Sequence, residues 1–562
     1  MGFSLFSLIP QPRLGDTLLL IATAAVGVHG IFKRYEPPEI SHHAGLLFGV
    51  PSVLSLLLWN HYSPARALVI ATTAFLSALT ASVAFYRLGP LHPLAKYPGP
   101  PLLKLSRLPL TWVAMQGKEY LFIQKLHERY GDIVRISPNE VSVRDASAIV
   151  PMMGSAGLTK GPHWQGRSMR PAVPSVIAMT NPVEHLERRK LWNRAFNTTA
   201  LKGYEHIIAR RANLLVETIA EAGEVDLATR ISWFTFDFMS DLVFGGGSDM
   251  LRQGDEGSVW RVINRGMVSA HMLAHLPWTV PYAQVLGFGE DVRRMRSFGI
   301  ERAKGRVKAG SLDKDLFYYL NNEDGAGAPR PFPEVVSDGA LAVIAGSDTT
   351  SSVLSNVFFY LLKEPAYYKR LQAEVDKFYP PGEDALSTKH HGDMPFLTAV
   401  LHESMRLFPA LPTGSQRAPV KGSGGKLVGQ YFIPEGTSTF IHSYSVHRDP
   451  RNFFPNSETF WPERWLIAAE LENSNWPKEM EKSFIHNATA FIPFSFGPAN
   501  CVGKNLALQE MRMVVCLMMQ KLEMRFPKGF DPRAYEENLQ DYLVVMKPSL
   551  PVLIERRPEA WA

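Results

Sequence analysis

The chain has 562 residues, 46% hydrophobic and 20% charged, a composition that excludes wholesale disorder. Its formal net charge of +6 is mild for this length, and no long Lys/Arg run points to a nucleic-acid partner. Two cysteines, Cys501 and Cys516, lie too close to one end to staple a secreted disulfide scaffold.

Three apolar runs open the chain: Leu14–Phe32, Ala44–Trp59 and Ala67–Tyr86. A helix needs about 20 apolar residues to cross the hydrocarbon core, which the first and third meet and the second approaches. A signal peptide would carry one short apolar core and a cleavage site, not three successive runs. Lys33 and Arg34 follow the first run, and Arg87, Lys96, Lys104 and Arg107 follow the third. The positive-inside rule puts both groups in the cytoplasm, which suits three crossings with a lumenal N-terminus; one crossing with interfacial segments is the other arrangement. Residues 1–90 are therefore expected to be a membrane anchor of one to three transmembrane segments. Prolines at 90, 93, 98, 100 and 101 disfavour helix, so residues 91–101 are expected to form an extended hinge to a body spanning 102–562.

Within the body, apolar residues recur at helical spacing over Leu121–Tyr130, Leu186–Phe196, Ile207–Ala222, Val335–Leu362, Tyr367–Phe378 and Phe396–Leu407. Asp132–Ile136 and Glu140–Val143, joined by Ser137-Pro138-Asn139, predict a hairpin, and Gly422–Gly425 with Gln430–Phe432 a second small sheet. The expected class is mainly helical α+β, in one catalytic domain. The sequons at Asn197 and Asn487 are chance matches if the body is cytoplasmic. His447-Arg448-Asp449 imitates a kinase catalytic loop without its companion motifs, and Gly422–Lys426 lacks P-loop spacing. No zinc-type or paired-carboxylate spacing stands out.

Three segments carry chemistry. In Ala345-Gly346-Ser347-Asp348-Thr349-Thr350, glycine weakens a helix by about 1 kcal/mol. Thr349 can bond back to the carbonyl of Ala345 and bend it. The competing structural reading is an N-cap starting a new helix at Asp348. In Glu403-Ser404-Met405-Arg406, spacing of three puts carboxylate and guanidinium on one face. Exposed pairs of this kind are worth under about 1 kcal/mol, but the apolar flanks here predict burial. The third segment is Phe494-Ser495-Phe496-Gly497-Pro498-Ala499-Asn500-Cys501-Val502-Gly503. A thiolate ligating haem iron needs backbone N–H groups aimed at the sulfur, and a tight glycine-bearing turn lets the backbone approach a flat macrocycle. Gly497 and Gly503 are expected to give the loop that freedom on either side. Phe494 is expected to shield the sulfur, and the helix Lys504–Leu522 to point its N-terminal dipole at it. Cys516, at an apolar helical position, is a small hydrophobe.

The Phe-x-x-Gly-x-x-x-Cys-x-Gly spacing resembles the cytochrome P450 superfamily, in its membrane-bound eukaryotic class. The wording Cys-Val-Gly-Lys-Asn-Leu-Ala is similar to fungal members. The resemblance runs from about His92 to the C-terminus. It implies a P450 fold with small β-sheets, haem b as cofactor, and Cys501 as the axial ligand of its iron. It implies that Thr349 and Asp348 deliver protons to bound dioxygen, with Ala345 and Gly346 leaving room over the haem. It joins Glu403, Arg406 and Arg464 in a structural network bracing the cysteine loop, and places His185, Arg189 and Arg417 at the haem propionates. One position departs from the pattern: Ala499 stands where the family has a basic residue reaching a propionate.

The implied activity is that of a monooxygenase inserting oxygen from O2 into an apolar small molecule. Because the chain shows no flavin or nicotinamide domain, electrons from NADPH must arrive through a separate cytochrome P450 reductase. Arg188, Lys190, Arg194 and Lys504 are the expected basic docking face. The implied location is the endoplasmic reticulum membrane, with the body in the cytoplasm. The fungal likeness and the apolar 268–287 segment favour a terpenoid or other secondary metabolite. A haem-thiolate isomerase or dehydratase, and a non-enzymatic haem sensor, are the alternatives.

Overall fold

The computed structural model describes residues 13–169, 173–310, 314–472 and 483–561. They form two compact units. The first comprises the described residues of 1–109, 135–139 and 278–288, and the second those of 110–134, 140–277 and 289–562.

In the first unit three helices are long and apolar enough to cross a membrane: Leu14–Tyr35, Ile40–Leu58 and Pro64–Leu88. Ile21, Ala25 and Val28 of the first pack with Ala67, Ala71 and Phe75 of the third, at helical spacing on each side. Leu19, Val26, Val69 and Phe85 keep their apolar side chains exposed, as a lipid-facing surface would. His29 satisfies its Nδ1 on Ser82 Oγ at 2.8 Å. The proline segment is not simply extended: His92, Ala95 and Tyr97 each close a turn onto a carbonyl three residues back. Trp278–Phe288 also belongs to this unit, where the His43 ring stacks on Tyr282, and Trp278, Val285, Leu286 and Phe288 are exposed.

The second unit is helical around a single large core. All six helices expected from the apolar spacing form: Glu119–Tyr130, Pro182–Ala195, Thr198–Ala222, Phe332–Lys363, Pro365–Phe378 and Pro395–Leu407. The central pair is Phe332–Lys363 against Leu227–Phe244. Gly339 and Gly346, two turns apart, set their separation: a Cβ there would meet Phe244 at 3.0 Å and Met239 Sδ at 2.5 Å. The strands Ile133–Ser137 and Glu140–Val143 form as expected and lie at one edge of a five-stranded sheet. Ser438–Ile441 runs parallel to Glu140–Val143, Arg417–Ala418 pairs with it, and Thr159–Lys160 pairs with Arg417–Ala418 at the far edge. The second small sheet forms a few residues downstream of the expected bounds, as Gly425–Val428 against Tyr431–Pro434.

Candidate active site

The cysteine loop is fixed at both ends. Gly497 adopts φ +72°, and a Cβ there would lie 2.0 Å from the Met153 carbonyl oxygen, so only glycine fits. Cys501 N–H donates to the Phe494 carbonyl at 2.9 Å, closing the turn. Phe494 itself is partly buried against the core. Gly503 plays a different part from the one expected: its φ of −80° is open to any residue. Its contribution is an N–H that hydrogen-bonds the sulfur at the start of the helix Lys504–Lys521. Cys501 keeps an accessible face. Desolvation by the loop raises its thiol pKa, while Gly503 N–H, Arg189 and Lys504 pull the other way toward thiolate. Cys516 is fully buried, as expected of a packing residue.

Arg189 does not reach outward. Its Nη1 and Nη2 donate to the carbonyl and Oδ1 of Asn500 at 2.7 and 2.9 Å, and its Nε donates to Asn193. The resemblance gives it to a propionate; in this structure it hydrogen-bonds the residue before the cysteine. Arg417 is buried, and its Nε finds no hydrogen-bond partner among the described residues. Next to it in register across the sheet stands Lys160, which sequence reasoning missed because nothing marks a lone lysine on a two-residue strand. Desolvation first, then Arg417 and Arg189, depresses the Lys160 ammonium. His185, buried, is pushed down to about 4 by desolvation and by Lys160, Arg189 and Arg417. Four basic groups thus crowd together with little counter-charge, an environment that takes anionic groups.

The helix Phe332–Lys363 runs unbroken for 32 residues, which removes the reading of a new helix starting at Asp348. Thr349 Oγ1 donates to the Ala345 carbonyl at 2.7 Å, the back-bond expected from the sequence. Ser347, two residues before it, and Ser355, six residues after it, do the same. Ala345 is exposed and Thr349 half-exposed in the middle of an otherwise buried helix. Gly346 instead faces Met239, so its small size serves helix packing rather than an opening. Asp348 is buried and its pKa is raised by desolvation, against the pull of Lys547 and Arg167. Burial pushes Lys547 down to about 8, and Lys547 also donates to Ser351 Oγ at 2.6 Å. Neither Lys547 nor Arg167 carried a sequence signal; both arrive from distant segments.

The expected clamp is complete. Glu403 accepts from Arg406 Nε and Nη2 at 2.9 and 2.8 Å and from Arg464 Nε at 3.1 Å, with all three residues fully buried. Trp461 N–H and Trp465 Nε1 also donate to it. Arg406 Nη1 continues to the His447 carbonyl, and His447 Nε2 accepts from Ile492 N–H at 3.0 Å, at the approach to the cysteine loop. The stretch that imitated a kinase motif is thus a link in this chain.

A cytochrome P450 family model matches residues 98–554. The chain belongs to the cytochrome P450 family. Cytochrome P450 67 of Uromyces fabae is 34% identical over 555 residues, covering 95% of this chain and 98% of that protein. Cytochrome P450 monooxygenase FCK2 of Fusarium pseudograminearum is 31% identical, covering 89% and 88%. Averantin hydroxylase of Dothistroma septosporum is 30% identical, covering 82% and 86%. The chain is accordingly an oxidoreductase of the P450 monooxygenase type and a haem-thiolate protein. The site fits that cofactor: it offers a sulfur with one accessible face and a backbone N–H on it, beside uncompensated basic groups suited to two carboxylates. P450 enzymes act on small molecules with dioxygen and a redox partner, and the apolar helices point to membrane association.

Proposed function

We propose that this P450 inserts one oxygen atom of O2 into an apolar small molecule of fungal secondary metabolism, with NADPH electrons delivered by a separate reductase. When bound, haem would supply dioxygen activation at a thiolate-ligated iron. Cys501 is the ligand, and the Gly503 N–H tempers its charge. Lys160, His185 and Arg417 hold the propionates, Lys160 taking the place of the basic residue that Ala499 lacks. Arg189 fixes the loop through Asn500, and the Glu403–Arg406–Arg464 network braces it.

The observation that carries the reaction class is the pair Asp348–Thr349 in an unbroken helix. Thr349 presents a hydroxyl that already donates to Ala345 and retains lone pairs to hold a water. Asp348 has its affinity for protons raised by burial, beside a Lys547 whose affinity is lowered. Burial thus favours the protonated carboxyl, the form a general acid needs. A haem-thiolate isomerase or dehydratase would often lack this acid–alcohol pair, and a haem sensor would have no need of proton delivery. Oxygen-dependent product formation with purified reductase and NADPH tests the reading; turnover that persists without oxygen would favour the isomerase.

The narrower terpenoid class keeps only the fungal likeness as support. The apolar 268–287 segment divides: part belongs to the second unit, and Trp278–Phe288 belongs with the membrane helices. A substrate-binding spectral screen of the reconstituted enzyme selects among classes. The expected location is the endoplasmic reticulum with the body in the cytoplasm. It is tested at the two sequons: a deglycosylation shift abolished by Asn197→Gln and Asn487→Gln would reverse the orientation.

A further inference from the structure

Away from the cysteine loop, three buried side chains from two segments converge. His271 and His275 sit four apart on the helix Val259–His275 and so share a face. Glu119 is the first residue of the helix Glu119–Tyr130. Each of the three is 2% exposed. Glu119 Oε2 lies 3.4 Å from His271 Nε2 and 3.1 Å from His275 Nε2, and the two Nε2 atoms are 3.3 Å apart.

We propose that Glu119, His271 and His275 bind a divalent transition-metal ion of the zinc class. The triangle of donor atoms has the right size. Zinc binds imidazole nitrogen and carboxylate oxygen at about 2.0–2.1 Å, which makes the edge of its coordination tetrahedron about 3.3 Å. The observed edges are 3.1, 3.3 and 3.4 Å. Among the described residues Glu119 Oε2 is a buried oxygen without a hydrogen bond of acceptable geometry, while the two Nε2 atoms face each other at hydrogen-bond distance. Imidazole and carboxylate donors without thiolate favour zinc over softer ions, and three protein ligands leave a fourth position for water or a substrate oxygen. Such an ion would tie the helix Val259–His275 to the helix Glu119–Tyr130. No zinc-type spacing marked this site in the sequence, because Glu119 comes from a distant helix.

The competing occupant is a proton shared by the triad, and metal content separates the two. Full-length holoenzyme would be loaded with zinc chloride, freed of excess by gel filtration, and measured by mass spectrometry for zinc per haem. The expected value is about one, with an X-ray absorption shell of nitrogen and oxygen at about 2.0–2.1 Å and no sulfur. In the double variant His271→Gln, His275→Gln the ratio should fall at least about tenfold while haem content holds. Wild-type protein that retains no zinc overturns the proposal, as does a double variant that retains it. If the double variant loses haem, the wild-type absorption spectrum decides alone: a sulfur-containing shell, or no bound zinc, contradicts the assignment.

Discussion

The cysteine loop and its brace differ from the centre of the long helix in how they treat a buried carboxylate. Glu403 and Asp348 are both buried. Desolvation would raise the pKa of either, yet Glu403 is held below its ordinary value, because Arg406 and Arg464 hydrogen-bond it directly. Asp348 stays above its ordinary value, because Lys547 and Arg167 act on it only through space. Burial alone does not set the charge state; the directness of the partner does. One region is built to hold a position and the other to keep a proton exchangeable.

The largest effect should come from breaking the held region. Glu403→Ala leaves two arginines buried without their counter-ion, at a cost of about 3–5 kcal/mol. Haem-loaded yield and thermal unfolding should show near-complete loss of native protein. Asp348→Asn removes a group with no direct partner and should change stability by under about 1 kcal/mol while slowing turnover. Equal destabilisation by both would erase the comparison.

Next comes pH. His447 is pushed down to about 3 by burial, helped by Arg406 and Arg448, and its Nε2 must be unprotonated to accept from Ile492. Its folded pKa lies below the unfolded value of about 6.5. The unfolded chain therefore binds the extra proton, and stability is lost as pH falls below about 6.5. By pH 5 the loss should reach about 2 kcal/mol. Denaturant melts of wild type and His447→Gln across this range should show a shallower slope for the variant; parallel slopes would remove His447 from the link.

A smaller effect belongs to the adjustable region. Thr349→Ala should keep folded haem content but lower the ratio of product to NADPH severalfold, with hydrogen peroxide released. Thr350→Ala should hold that ratio, since Thr350 is buried. Full coupling in Thr349→Ala would mean that the alcohol comes from elsewhere, or that the reaction is not an oxygen insertion.

The smallest effect is expected at the docking face. Arg188 is buried against Asp338 and Glu334, and Arg194 is engaged by Asp324. Of the basic residues expected on that helix, only Lys190 is open to solvent, and it pairs with Glu187. Lys190→Glu should slow reduction by the reductase less than about twofold at physiological ionic strength, where screening acts over about 8 Å. A tenfold loss would restore the steering face.

What the sequence made legible was local. Helix periodicity, the Thr349 back-bond, the Glu403–Arg406 spacing and the Gly497 turn each follow from residues within a few positions of one another. Arg464 came only through the family likeness. What it hid was brought together by the fold. Lys160 meets Arg417 through sheet register, Lys547 meets Asp348 from near the C-terminus, and Arg189 turns to Asn500. The contact of Gly346 with Met239 was hidden too, because helical spacing does not say which face of a buried helix meets a partner.

The central claim is that Cys501 holds the iron. It is tested by the carbon monoxide difference spectrum of reduced protein. Cys516→Ala should retain the red-shifted thiolate-type Soret band of wild type, and Cys501→Ala, reconstituted with haem, should lose it. Retention of that band in Cys501→Ala would contradict the account.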